Sequence, residues 1–142
     1  MRYWDSSALV PLLLEESRTQ ALTQLLSSDF ELVTWWGSRV ECHSAIYRHV
    51  HAGRLGPQVA AAAETVLSAL AARWLEIGAN EILRETAERL LRGHPLRIGD
   101  ALQLAGAIVA SDFRPSTLEI VCCDQRLATA ARREGFTVQD LG

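Results

Sequence analysis

Short apolar runs alternate along this chain with longer stretches in which apolar residues recur every three or four positions. Arg2 to Trp4 is a short strand candidate. Ala8 to Leu14 is compact and apolar enough for a helix, with Pro11 near its start, where a first turn tolerates proline. Within Arg18 to Leu26 the residues Ala21, Leu22, Leu25 and Leu26 keep helical spacing, whereas Leu32 to Trp35 is short, β-branched and aromatic. Helix and then strand are predicted there. Ser38 to His51 reads as a helix opened by a Ser38 and Glu41 capping box and broken by Gly53 to Pro57. A second long helix carries Val59, Ala62, Ala63, Val66, Leu67 and Leu70. Trp74 to Ile77 is a third strand, and Asn80 to Leu91 a helix stopped by Gly93, His94 and Pro95. Asp100 to Ala110 is apolar almost all round, which predicts a buried helix. Leu118 to Cys123 is a continuous apolar run of the kind a parallel sheet covers on both faces. Gln125 to Glu134 is then helical, Gly135 ends it, and Phe136 to Val138 is a last strand.

This order implies an α/β domain of three layers, α/β/α, with a mainly parallel central sheet of about five strands. With 142 residues and no repeats or linkers, positions 1–142 form one domain large enough for a core of its own.

Composition narrows the partners. The chain is 49% hydrophobic and 22% charged, as in globular proteins. No apolar run approaches the ~20 residues of a membrane span, and the start lacks the basic stretch and cleavage site of a signal peptide, so the expectation is a cytoplasmic protein with no membrane partner. Cys42, Cys122 and Cys123 are odd in number and form no CxxC, against a disulfide framework or a structural zinc site. A net charge of −3 argues against coating nucleic acid nonspecifically, but not against a nuclease whose positive charge comes from metal. All 14 basic residues are arginines, the side chain that forks onto phosphate.

Four acids stand where a strand or turn passes into a helix. Asp5 ends the first strand, Glu41 follows VTWWGSRV, Asp100 opens GDALQLAGAIVA, and Asp124 follows LEIVCC. In a parallel sheet such junctions gather at one edge, where open α/β folds bind ligands. Helix capping accounts for Glu41, Asp100 (with Gln103 as its N3 partner) and Asp124 taken singly. It does not account for Asp5 beside Ser6 and Ser7, nor for the set. Two like charges about 4 Å apart cost ~4 kcal/mol at an effective dielectric near 20. A hard divalent cation offsets that cost, and a site of carboxylates alone suits magnesium or manganese better than zinc. Metal-assisted phosphodiester hydrolysis is the reaction class that follows.

WDSSALVPLLLEE, SRVECHSAI, RIGDALQLAGAI and CCDQRLATAARREGF together resemble, in order and spacing, the successive motifs of PIN domains, and more narrowly of VapC-type toxin ribonucleases. The resemblance covers essentially the whole chain. It implies a magnesium-dependent endoribonuclease acting on RNA, inhibited by a small cognate antitoxin protein, and a homodimer. By position it makes Asp5 and Asp100 metal ligands, with Asp124 completing the shell, while Glu41 either binds metal or orients the attacking water. Gln125 and Arg126 follow Asp124 where the family sometimes carries a further carboxylate.

Around these acids, Ser6 and Ser7 are placed to donate to Asp5 or to a metal-bound water, or to cap the helix. Arg39, Arg97 and Arg126 lie within a few residues of an acid and are candidates to grip substrate phosphates, against surface solvation or structural ion pairs. Trp35 and Trp36 invite base stacking, though core packing is favoured and neighbouring strand residues face opposite ways. His43, His49 and His51 offer no ligand set and read as surface or helix-packing residues. Leu12, Leu13, Leu14, Leu22, Leu25 and Leu26 exceed one helical stripe, and any groove left over would suit an antitoxin helix. Two rivals to the nuclease are a phosphatase-like enzyme with Asp5 as nucleophile and a noncatalytic PIN-like binding module. The first wants an acid or lysine that the chain lacks, and the second wants an eroded acidic set.

Overall fold

A computed structural model describes residues 1–141. The elements follow in the order β1 (Arg2–Trp4), α1 (Ser6–Leu13), α2 (Thr19–Ser28), β2 (Leu32–Trp35), α3 (Ser38–His51), α4 (Pro57–Ala71), β3 (Leu75–Ile77), α5 (Glu81–Gly93), α6 (Ile98–Ala110), a 3-10 turn (Pro115–Thr117), β4 (Glu119–Cys122), α7 (Gln125–Arg133) and β5 (Thr137–Asp140). The strands form one sheet in the order β3-β2-β1-β4-β5, and every pairing is parallel.

Alternation along the strands divides the core into two layers, because successive strand side chains point to opposite faces. On β1, Tyr3 packs with Val33, Trp35, Ile120 and Cys122 under α5, α6 and α7. Trp4 points the other way and joins Leu32 and Val121 under α1 to α4, with Leu9, Leu22, Cys42 and Leu67. Both faces of the central strands are thus dry, as their near-continuous apolar composition requires. The result is a three-layer α/β/α fold. Among the described residues, no helix is long and apolar enough to cross a membrane.

Several boundaries differ from the sequence expectation, each for a local reason. Helix α1 begins at Ser6 rather than Ala8, because Asp5 caps it with its carboxylate on the Ser7 N–H. Pro11 therefore lies inside the helix, where its ring removes one intrahelical hydrogen bond, and the helix ends at Leu13. Helix α6 begins at Ile98, so Asp100 is its third residue rather than its cap. Gly93 is the last residue of α5 and His94 the cap that follows. The excess leucines of the early helices are taken up by packing: Leu22 is buried, and Leu12, Leu13, Leu25 and Leu26 pack half-buried against the same layer. Leu14 packs against the α3 and α4 contact made by Ile46, Ala60 and Ala63.

The chain order fixes where a ligand can sit. From central β1 the chain moves out to β2 and β3, then crosses to β4 and β5 on the other side. The connections leave β1 and β4 in opposite directions and open a crevice at their carboxyl ends. Asp5 and Asp124 are the first and second residues beyond those two ends.

Candidate active site

At that crevice lies a cleft of about 400 Å³ whose lining includes Asp5, Ser6, Ser7, Glu41, Asp100 and Asp124 together with Glu16, Arg18, Arg48 and His49. A hollow of about 340 Å³ at the opposite, amino edge includes Arg2 and Glu119, which are already paired at 2.6 Å.

Asp5 forms the floor, only 3% exposed. Parallel pairing with β4 brings its backbone N–H to Val121 O at 3.3 Å. Its Oδ1 accepts from the Ser7 hydroxyl at 2.7 Å and its Oδ2 from the Ser7 N–H at 3.1 Å. The same hydroxyl accepts from the Cys123 N–H at 2.9 Å, so Ser7 ties the β1 and β4 ends together. Capping thus does explain part of the placement of Asp5, contrary to the sequence reading. It leaves the charge unexplained: burial pushes this carboxyl from 3.8 to about 7, the Ser7 donors oppose the rise, and the Glu41 charge adds to it. No cationic side chain pairs with Asp5 among the described residues.

Glu41 projects from the first turn of α3. The predicted capping box is absent, since Gly37 is the cap position and has no side chain to offer. The Glu41 carboxylate instead accepts from the Ser6 hydroxyl at 2.7 Å, Gln103 Nε2 at 3.1 Å and Trp35 Nε1 at 3.4 Å. Ser38 is freed for a buried polar chain. Its hydroxyl shares a 2.6 Å bond with Thr34 and accepts from Gln103 Nε2 at 3.0 Å, while Gln103 Oε1 accepts from the Tyr3 hydroxyl at 2.8 Å. Gln103 is therefore not a capping partner of Asp100; it is the hub that holds Glu41 from behind. Sequence reasoning missed this role, although a single Gln inside the otherwise apolar Ala101 to Ala110 run is a signal that could have raised it, because a polar residue on a buried helix needs partners.

Asp100 and Asp124 complete the acidic set from the starts of α6 and α7, two helices of the same layer. Asp100 Oδ2 accepts from the Arg97 N–H at 3.2 Å, and Asp124 Oδ1 caps α7 on the Leu127 N–H at 3.0 Å. Their other oxygens, Asp100 Oδ1 and Asp124 Oδ2, have no hydrogen-bond partner among the described residues. Burial raises the Asp100 carboxyl above its ordinary value; the Arg97 N–H opposes this, the Asp124 charge adds to it, and the Arg126 and Arg97 charges oppose it.

The donor chemistry fits a hard divalent cation: besides Glu16, which Arg18 pairs, the four carboxylates Asp5, Glu41, Asp100 and Asp124 line one cleft, Asp5 is buried without a counter-ion, and two carboxylate oxygens are free. Among the described residues, however, no three of His, Cys, Asp and Glu stand close enough to enclose an ion. Magnesium tolerates this, because it keeps several waters and is commonly held by one or two carboxylates together with substrate phosphate.

Of the remaining candidates, Ser6 and Ser7 sit behind acids as described, Ser7 also serving the cap. Arg97 and Arg126 act on Asp100 through their charge, and Arg39 is exposed and lines no part of the cleft. Trp35 is buried and holds Glu41, whereas Trp36 is exposed and meets it edge-on at 6.5 Å. His43 pairs with Glu64 and His51 lies beside the Tyr47 ring, while His49 borders the cleft, as does Arg48, which sequence reasoning passed over. Cys42 and Cys122 are buried and Cys123 half-buried. Burial pushes the Cys42 thiol up to about 12 and that of Cys123 to about 11, which removes thiolate chemistry at neutral pH. No protein-family model matches this chain, and no curated protein is significantly similar to it in sequence.

Proposed function

We propose that this protein is a metal-dependent endoribonuclease of the PIN type, which hydrolyses RNA phosphodiesters and serves in the cytoplasm as the toxin of a type II toxin-antitoxin pair. The observation that carries the reading is the convergence of Asp5, Glu41, Asp100 and Asp124 on one cleft at the carboxyl edge, with Asp5 buried and without a cationic partner. Such an arrangement raises the energy of the empty site and favours a cation in it.

Asp5, Asp100 and Asp124 would hold magnesium, with manganese as the alternative, and the bound ion supplies charge stabilisation for the phosphoryl oxygens and a more acidic water. Glu41 suits a different role. Its carboxylate already accepts three hydrogen bonds of about four it has room for. The remaining lone pair accepts a hydrogen bond from the attacking water and aims it in line at phosphorus. Ser6, Gln103 and Trp35 keep that carboxylate from rotating, which is orientation provided before substrate arrives. A phosphatase-like role for Asp5 is less suited, since its Oδ1 is turned onto Ser7 at the bottom of the cleft. A homodimer and a small antitoxin protein belong to the same proposal, supported by the motif resemblance.

The test is cleavage of a panel of structured RNAs with magnesium, manganese or EDTA, by wild type and Asp100→Asn. Cleavage that needs metal and is lost in the variant supports the reading. Cleavage in EDTA, or a fully active variant, overturns it.

A further inference from the structure

The acidic set in the cleft repels a phosphate backbone, and the chain as a whole carries −3, so RNA affinity has to come from cations beside the carboxylates. Two such groups flank them. On α3, Glu41, Ser44, Ala45 and Arg48 all line the cleft, the spacing of one helical face, and Arg48 lies two turns, ~10 Å, beyond Glu41. The Arg48 side chain is exposed and has no hydrogen bond or ion pair among the described residues. Arg18, its neighbour in the cleft, is by contrast occupied by both oxygens of Glu16 at 2.8 and 3.1 Å. Across the carboxylates, one face of α7 presents Arg126, Thr129, Ala130 and Arg133 to a hollow of about 250 Å³ closed by His94 and Pro95. Arg126 and Arg133 are exposed and likewise unpaired among the described residues.

We propose that a single-stranded RNA backbone runs along α7 from Arg133, in its last turn, to Arg126, in its first, and then crosses the carboxyl edge of the sheet to α3, where Arg48 grips it beyond the carboxylates. This rests on the nuclease reading and adds the path and form of its substrate. The unpaired guanidiniums fork onto phosphate oxygens without first breaking an internal ion pair. The strand is single because Asp5, at the floor, is nearly inaccessible, and a flexible backbone can dip a phosphate toward it where a stiff duplex cannot. The flanking grips hold that dip in place.

Binding of a fluorescein-labelled single-stranded oligoribonucleotide in EDTA, followed by anisotropy over a salt series, separates the grip from the chemistry. Three phosphate contacts predict a slope of log K against log salt of about −2, and loss of each contact makes it shallower by about 0.7. Arg48→Ala, Arg126→Ala and Arg133→Ala should each show that change, whereas Arg73→Ala, just ahead of β3 at the opposite edge, should keep the wild-type slope. Unchanged slopes in the three variants, an equal loss in Arg73→Ala, no binding by wild type, or equal competition by an RNA duplex would overturn the path. Cleavage by Asp5→Asn with magnesium is measured alongside. An active Asp5→Asn with altered arginine slopes removes the nuclease site and leaves the grip, and the reverse pattern removes the grip and leaves the site.

Discussion

Replacing Asp5 by Asn should shift relative stability in the variant's favour as pH rises from 5 to 8, and the size of the shift follows from burial. The folded Asp5 carboxyl titrates at about 7, against 3.8 when exposed. Its folded value is raised, so its favourable contribution is fully present below 3.8, declines as pH rises, and is gone above about 7. Asn has no charge to bury at any pH. Between pH 5 and pH 8 wild type therefore loses about two pKa units of stability that the variant keeps, roughly 3 kcal/mol at 1.36 kcal/mol per unit. Any cost from the altered hydrogen bonds to Ser7 is the same at both pH values and cancels in that difference. For a domain of this size roughly 3 kcal/mol corresponds to a Tm difference of about 6 to 12 °C. Thermal unfolding of wild type and Asp5→Asn in EDTA, followed by far-ultraviolet circular dichroism at pH 5 and pH 8, measures it. If the gap between the two proteins is the same at both pH values, the buried-charge account of Asp5 is refuted.

At pH 8, magnesium at ten times its dissociation constant should stabilise wild type by about 1.4 kcal/mol, and Asp5→Asn by much less, measured as a Tm shift without any RNA present. Gln103→Leu removes the hub and leaves the Tyr3 hydroxyl, Ser38 and Glu41 each short of a partner. At roughly 1 to 3 kcal/mol per unsatisfied buried group it should lower the urea midpoint strongly, and unchanged stability would contradict the network. Gly106→Ala places a Cβ 2.6 Å from the Tyr3 hydroxyl and 2.9 Å from Trp35 Cβ. Overpacking there should cost about 1 to 3 kcal/mol in urea unfolding and alter the near-ultraviolet signal of the two aromatics.

Strands were legible in the sequence wherever burial on both faces forced a continuous apolar run. Leu32 to Trp35 is reproduced residue for residue, and Leu118 to Cys123 contains β4. The strand order was not legible, because which neighbour a parallel strand takes depends on crossover paths rather than on its own residues. Two helix starts beside cleft acids slipped, although α7, capped by the cleft residue Asp124, starts at Gln125 as expected. Asp5 opens α1 at Ser6, and Asp100 sits in the third position of α6 because its carboxylate reaches back to the Arg97 N–H. The acids stood out in the sequence, being polar residues at the ends of apolar runs. Their supports did not: Gln103, Thr34 and Tyr3 come from separate elements, and only folding brings them behind Glu41. Arg48 was hidden for the same reason, since it lies two turns from Glu41 on a helix face defined by its neighbours.

The most direct test of the carboxylate cleft as a catalytic centre is single-turnover cleavage of one RNA with magnesium by wild type and Asp5→Asn. Both proteins must first be shown folded. The account predicts a rate loss on the order of 100-fold or more, at or beyond the upper end of what removing a residue behind a metal ligand costs. A variant that cleaves at the wild-type rate would contradict it.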